Sequence, residues 1–387
     1  MTHVMNTYSR LQVNLVRGKG VKVWDDTGKE YIDMLSGIAV CNLGHAHPAV
    51  VKALQDQAER LFHCSNLYHI PQQETFADMI VQNSFDSRVF FCNSGAEANE
   101  GAIKLARRYC SLEGRRGSRI VTFSGSFHGR TLATVAATGQ DRFKQGYDPI
   151  PAGFVSIPFG DIDALEEVID DEVGAVMIEP IQGEGGIIVP PQGFFKKLRN
   201  LCDRHGLLLI LDEVQTGMAR TGSLFGYMYE DIEPDVMTLA KALGNGFPVG
   251  ALVAKPKVAE AFSPGTHAST FGGNPLAMSA CIATLDTMLK DDIAKHSLQQ
   301  GSYLKTCLEE IKEIHPGIKE IRGRGLMMGV EFDRNISSLC AEGINKGILL
   351  NVQKERILRL VPPLVISKAE IDAAVGIIDA LLREKGL

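Results

Sequence analysis

Apolar positions follow two rhythms across the central part of this chain, from about residue 86 to residue 255. Short segments such as RVFFC (88–92), RIVTF (119–123), AVMI (175–178) and LLLIL (207–211) read as buried strands. The run Leu207–Leu211 is apolar on both faces, the mark of a strand inside a parallel sheet covered on both sides. Between these runs the spacing becomes helical. AEANEGAIKLARRYC sets Ala102, Leu105, Ala106 and Tyr109 on one stripe, and a second helix falls around DALEEVIDD. FFKKLRNLCDRHG gathers Phe194, Phe195, Leu198, Leu201 and Cys202, with Gly206 placed to stop the helix. Strands alternating with helices of this length predict a parallel, doubly covered sheet.

The two ends read differently. Residues 18–35 alternate apolar and polar positions around an Asp-Thr-Gly turn, as a hairpin does. GLMMGVEF and ILRLVPP are short strands near the other end. The last helix opens on a capping box, Ser367 with Glu370, and carries Ile371, Ala374, Ile377, Ile378 and Leu381 at helical spacing. The expected architecture is α/β: a large central domain over 40–285, and a small α+β domain assembled from 1–39 and 286–387.

Composition narrows the function classes. Of 387 residues, 45% are hydrophobic and 22% charged, as in ordinary globular proteins. A net charge of -6 with scattered signs gives no footprint for nucleic acid or an anionic membrane. No apolar run approaches the roughly 20 residues that span a bilayer. The opening MTHVMNTYSRLQV has neither a basic nor an apolar leader segment, so no export is expected. The eight cysteines form no CxxC pattern, which predicts a reducing, cytoplasmic setting without disulfides or a cysteine metal site. His45 and His47 have no carboxylate or cysteine partner nearby and read as structural, so no metal is expected.

Chemistry gathers where the strands end, the edge at which open α/β sheets bind ligands. Asp212 follows Leu207–Leu211, and Lys241 lies further on in TLAKALGNGFPVG. A lysine amine there can form a Schiff base with an aldehyde cofactor, while an acid holds a pyridinium nitrogen protonated. Taken alone, the lysine also fits a solvated loop and the acid a helix cap. NSGAEANE (93–100) stands between a strand and a helix, where Ser94, Gly95 and Ala96 let backbone N–H groups approach an anion; an ordinary capped turn fits equally. No Walker or GxGxxG pattern points to a nucleotide. In SGSFHGRT, Phe127 suits stacking on a planar ring and Arg130 a bidentate carboxylate, though core packing and a surface ion pair also suit them. EPIQGEGG brings Glu179 and Glu184 to the same edge.

In order and spacing, NSGAEA, SFHGRT, EPIQGEGG, LDEVQTG, TLAKALGNGFPVGA and STFGGNPLA resemble the class III (ω-amino) aminotransferases over essentially the whole chain. NTYSRLQV and LSGIAVCNLGHAHP make it most similar to the acetylornithine aminotransferase subfamily. The resemblance implies pyridoxal 5′-phosphate on fold type I, with a mainly parallel seven-stranded sheet. It implies that Lys241 binds the cofactor and moves the reaction's proton, that Asp212 pairs with the ring nitrogen, and that Gln215 contacts the phenolic oxygen. Phe127 would stack on the ring, and Glu213 and Val214 belong to the same cofactor-binding segment. Ser94, Gly95 and Ala96 would hold the phosphate, with Thr270 reaching in from the other subunit of a homodimer. Ser269, Arg130 and Arg359 would meet substrate, and Glu184 would mask Arg359 when an ω-amine donor is bound.

The implied reaction moves the terminal amine of an acylated ω-amino donor, N2-acetylornithine, to 2-oxoglutarate. Ile38 stands where relatives acting on free ornithine carry tyrosine, and an isoleucine cannot bond a free α-ammonium. Succinyldiaminopimelate, succinylornithine and 4-aminobutyrate remain alternative donors. An aminomutase or racemase, and a cofactor-binding protein without catalysis, are the alternatives from other classes.

Overall fold

The computed structural model describes residues 3–387, so the first two residues of the expected segment 1–39 lie outside it. The N-terminal part forms β1 (Leu15–Lys19), β2 (Lys22–Asp25) and β3 (Glu30–Asp33). The central part contributes β4 (Arg88–Cys92), β5 (Arg119–Phe123), β6 (Phe154–Ile157), β7 (Val173–Ile178), β8 (Leu208–Asp212), β9 (Val236–Leu239) and β10 (Gly250–Ala254). The C-terminal part adds β11 (Ile318–Arg324), β12 (Met327–Phe332), β13 (Ile348–Leu349), β14 (Asn351–Gln353) and β15 (Ile357–Leu360).

The seven central strands form one sheet in the order β4-β10-β9-β8-β7-β5-β6. All its pairings are parallel except those of β10, which runs against both β4 and β9. Every residue of β7 and β8 is buried, as the two-faced apolar runs require. The helices Gly95–Leu112 and Phe194–His205 supply cover, and Gly206 ends the second at φ 63, in the left-handed region open to glycine.

Both ends of the chain meet in one of two smaller sheets. The hairpin β2–β3 turns at Gly28, and β3 pairs in parallel with β13 from the far end, giving the order β1-β2-β3-β13. The second small sheet runs β11-β12-β15-β14, and the capping box at Ser367 and Glu370 opens the helix Lys368–Lys385. The expected strand Leu207–Leu211 is shifted by one residue, so that Asp212 itself closes β8. Between β3 and the cavity, Ser36, Gly37, Ile38 and Ala39 all take positive φ (48, 67, 68 and 57). This turn is left-handed, a costly form for L-residues. Asp33 Oδ1 holds it by accepting the N–H groups of Leu35 and Ser36 at 2.8 and 2.9 Å.

Candidate active site

The carboxyl ends of five strands converge on one edge of the large sheet. β4 leads through Asn93 and Ser94 into a helix N-terminus, β5 into Phe127, His128 and Arg130, and β7 into Glu179. β8 ends on Asp212, and β9 runs into Ala240 and Lys241. A cavity of about 380 Å³ opens there, walled by Ser94, Gly95, Ala96, Asp212, Gln215 and Lys241 among others. Phe127, Arg130, Val214 and Glu179 complete the wall, together with Val40 from the left-handed turn.

Asp212 is 4% exposed and fixed from three sides. Its Oδ2 accepts from Asn99 Nδ2 and from His128 Nδ1, each at 2.8 Å, and its Oδ1 accepts the Val214 N–H at 3.1 Å. Asn99 is held in turn by a 2.7 Å bond from the Thr238 hydroxyl and donates to the His128 carbonyl. The acid is therefore aimed, with no freedom to swing away. Beside it, burial pushes the Glu179 carboxyl well above its ordinary range, and the charge of Asp212 pushes the same way. Glu179 Oε2 and His128 Nε2 are buried without a partner. These two residues and Asp212 bring one ligand atom each within 4.8 Å of one another, but Asn99 and His128 already engage Asp212 Oδ2.

Lys241 begins a short 3-10 turn at φ 49, with its side chain reaching the cavity. Desolvation lowers its ammonium pKa; the charge of Glu184 opposes this and that of Arg359 adds to it. An amine so placed reaches its neutral, nucleophilic form more readily. Gln215 is buried with Oε1 unpartnered, packed so closely on Gly183 that a Cβ there would lie 2.4 Å from Gln215 Cδ. Beside it the helix Gly95–Leu112 offers its first N–H groups, which have no intrahelical acceptors. Gly95 is needed for the approach, since a Cβ would meet Val214 Cγ1 at 2.9 Å.

Phe127 is half-buried and meets Phe143 edge-on at 5.7 Å. The exposed Arg130 guanidinium lies 4.0 Å from the Phe143 ring centroid and 5.2 Å from that of Phe127. Among the described residues it pairs with no carboxylate, so it is free for a ligand. Arg359, 2% exposed on β15, is paired instead: Nη1 bonds Glu184 Oε1, and Nε donates to Asn351 Oδ1 at 2.9 Å. Burial opposes ionisation of Glu184, but the charge and hydrogen bond of Arg359 outweigh it and hold the carboxyl low.

Five expected site residues do not line this cavity: Glu184 and Arg359, which pair with each other near Lys241, and Glu213, Ser269 and Thr270. The Glu213 carboxylate turns the other way, accepting from the Thr216 hydroxyl and from the N–H groups of Gly226 and Tyr227 at 2.9 and 2.8 Å. It caps the turn Gly226–Glu230, because neighbours along β8 face opposite sides. Ser269 stands one layer back, its Oγ accepting from Asn93 Nδ2 at 3.2 Å. Thr270 is exposed and outside the cavity of its own chain. Ile38 is likewise outside the wall, two residues from Val40. The sequence reading missed Asn99 and His128 as the groups that fix Asp212. Asn99 could have been found from its place one turn into the phosphate-side helix, facing β8.

A primary amine, an aimed acid and a helix N-terminus gather around one cavity, an arrangement chemically able to take a ring that is cationic at one edge and carries an aldehyde and a phosphate. That is the site of a covalent, cofactor-dependent group-transfer enzyme. The profile of Aminotransferase class-III matches residues 4–382, and the chain belongs to that family of transaminases. It is 51% identical to the acetylornithine aminotransferase of Caldanaerobacter subterraneus subsp. tengcongensis, over 99% of this chain and 98% of that one. It is 47% identical to the enzyme of the same name from Methanocaldococcus jannaschii, over 98% and 96%. Among solved structures, N-acetylornithine aminotransferase from Stenotrophomonas maltophilia matches at TM-score 0.85 and 40% identity, covering 97% of each chain. Ornithine aminotransferase from Toxoplasma gondii matches at TM-score 0.96 and 34% identity, covering 100% of this chain and 94% of that one.

Proposed function

We propose that this enzyme moves the terminal amino group of N2-acetyl-L-ornithine to 2-oxoglutarate, giving N-acetyl-L-glutamate 5-semialdehyde and L-glutamate in arginine biosynthesis. Its cofactor is pyridoxal 5′-phosphate and its working form a cytoplasmic homodimer. Residues 40–285 make the large domain, and 1–39 with 286–387 the small one. No helix among the described residues is long and apolar enough to cross a membrane.

The cofactor, when bound, supplies an electron sink for the carbon that bears the amine. This chain's residues do the rest. Gly95 and Ala96 meet the phosphate through backbone N–H groups, with Ser94 as the cap of their helix and Thr270 arriving from the second subunit. Phe127 and Val214 confine the ring, Asp212 keeps its nitrogen protonated, and Gln215 offers its amide to the phenolic oxygen. Lys241 holds and moves the proton at Nζ.

The observation that carries the donor reading is the Glu184–Arg359 pair beside Lys241. With Arg359 occupied, Arg130 is the free cation, which suits a donor whose carboxylate is remote from the reacting amine. A 2-oxo diacid needs both arginines, and Glu184 must then let go. Superposition and identity favour different relatives, the first an ornithine and the second an acetylornithine aminotransferase. A shared fold serves many substrates, so identity weighs more here, and Ile38 argues the same way. The test is a donor panel of acetylornithine, succinylornithine, ornithine and 4-aminobutyrate, with the absorbance of the bound cofactor followed. Conversion by acetylornithine and recovery with 2-oxoglutarate are expected; success with 4-aminobutyrate and failure with acetylornithine would move the assignment.

A further inference from the structure

The Glu184 carboxylate has two oxygens, and the arginine occupies one. The other, Oε2, accepts a 3.2 Å hydrogen bond from the amide Nε2 of Gln353, which also donates to the Gly183 carbonyl at 3.1 Å. Gln353 is 8% exposed, and its Oε1 is buried without a partner. Strand register explains the meeting. On the antiparallel pair β14–β15, Asn351 stands opposite Arg359 and Gln353 opposite Ile357. Residues directly opposed, or two apart on one strand, share a face, so Asn351, Gln353 and Arg359 all look toward the segment that carries Glu184.

We propose that Gln353 is a specificity-determining residue for the acceptor: a latch that holds Glu184 over Arg359 and sets how readily a dicarboxylate gains the arginine. The inference rests on the masking role given to Glu184 above. Besides Arg359, three side chains from the small sheet hold the segment 183–187, but they do different things. Arg322 donates to the Gly186 and Ile187 carbonyls, and Lys354 to the Gly185 carbonyl at 2.6 Å; both grip backbone only. Gln353 alone of the three also grips the carboxylate that must move. In the closed state, Asn351 aligns Arg359, Arg359 takes one oxygen of Glu184, and Gln353 takes the other. Opening breaks both bonds to the carboxylate together. The latch therefore opposes every ligand that needs Arg359 and is neutral toward a donor that leaves the pair intact. The unpartnered Oε1 costs stability in the state seen here, which a side chain present only for packing would avoid.

The test uses the holoenzyme and its Gln353→Met, Gln353→Ala, Lys354→Met and Glu184→Ala variants, with the two half-reactions measured separately. Methionine keeps volume and removes the donor, so a misfolded alanine variant does not decide the matter. Losing one hydrogen bond to a charged group lowers KM for 2-oxoglutarate in Gln353→Met by roughly tenfold, with KM for acetylornithine moving by less than about twofold. Inhibition of the donor half-reaction by glutarate, a dicarboxylate with no reactive carbonyl, tightens in parallel. Lys354→Met, which loosens the same segment without touching Glu184, leaves the ratio of the two KM values where it was. Equal changes in both half-reactions of Gln353→Met, or the same ratio shift in Lys354→Met, would make Gln353 a mere anchor and overturn the latch. If Glu184→Ala changes the ratio and Gln353→Met does not, the latch alone is wrong. If Glu184→Ala changes nothing, the masking role fails and the latch falls with it.

Discussion

Asp212 and His128 share a 2.8 Å hydrogen bond between Oδ2 and Nδ1, in a place where both side chains are almost fully buried. The carboxylate oxygen accepts from the ring N–H at Nδ1, and Nε2 is buried without a partner. The pair aims the acid at the cavity. Replacing Asp212 with alanine is expected to leave cofactor binding and cut the rate of both half-reactions by a factor on the order of 10³. His128→Phe, which removes the donor and keeps the ring volume, should cost roughly tenfold, the value of one bond to a charged group. Single-turnover absorbance of the bound cofactor measures both, and equal losses in the two variants would mean that His128 does more than orient.

The lysine gives a pH prediction of defined sign. Desolvation lowers the Lys241 pKa from its ordinary 10.5, so the neutral amine is present at lower pH than for a free lysine. The rate at which cofactor-free protein captures an aldehyde should rise with pH and level off below 10.5. Lys241→Ala removes both the capture and the turnover. A capture profile still climbing above 10.5 would show that the site does not depress this amine.

His45 supplies a second pH dependence, this time in stability. Contrary to the expectation that it lacks a carboxylate nearby, its Nε2 bonds Asp33 Oδ2 at 2.7 Å, and that bond above all raises its pKa from 6.5 to about 10. Between those values the folded protein keeps a proton that the unfolded chain has lost. The contribution is therefore complete below 6.5 and disappears as pH rises through about 10. Asp33 also holds the left-handed turn that presents Val40, so the loss is felt at the cavity. Denaturant unfolding between pH 7 and pH 10 should show a shallower decline in His45→Gln than in the parent protein.

What was legible in the sequence divides along physical lines. β7 and β8 were visible because strands buried on both faces leave unbroken apolar runs; Asp212, Lys241 and the Gly95 turn, each of which alone also fits a cap, a loop or an ordinary turn, were legible only through the order and spacing of the motifs around them. The helices Pro48–Ala58, Pro71–Gln82 and Pro275–Lys290 went unread, although each has proline at its first position. Long-range partners were out of reach for a different reason. Asn99 meets Asp212 across 113 positions, and Gln353 meets Glu184 across 169, distances over which no local pattern carries information. The same holds for the side from which a group is held: Glu213 adjoins Asp212 in sequence, yet strand alternation sends it to the opposite face.

Arg220 is a case that only the fold exposes. It is fully buried with no carboxylate bonded to it, and donates to the carbonyls of Leu326 and Pro362 at 2.8 and 2.6 Å and to Asn42 Oδ1. Desolvation lowers its pKa to about 9. With a further 3.4 Å bond from Nη2 to the Ser36 hydroxyl, these contacts tie the segment after β8 to the left-handed turn on one side and to the segment after Arg359 on the other. Arg220→Met strands three acceptors and should destabilise by about 3–5 kcal/mol, read from the shift in denaturant midpoint at constant m. A loss below about 1 kcal/mol would mean that the buried charge costs as much as its bonds return.

The shared-site dimer can be tested through Thr270. It is exposed, absent from the cavity of its own chain, and followed by Phe271 with 59% of its surface exposed, on a chain that leaves Leu67 and Tyr68 exposed as well. If Thr270 completes the phosphate site of a second subunit, Lys241→Ala and Thr270→Arg fall together in one site of a mixed dimer and leave the other site intact. Each protein alone should be inactive, the first for want of the amine, the second because an arginine obstructs its neighbour. Mixed and re-equilibrated in equal amounts, half of the dimers are hybrids, and each hybrid holds one intact site and one doubly defective site. Activity should therefore return to about one quarter of the parent level. A Thr270 that served its own chain would leave every site with one defect, and the mixture would stay as inactive as its components.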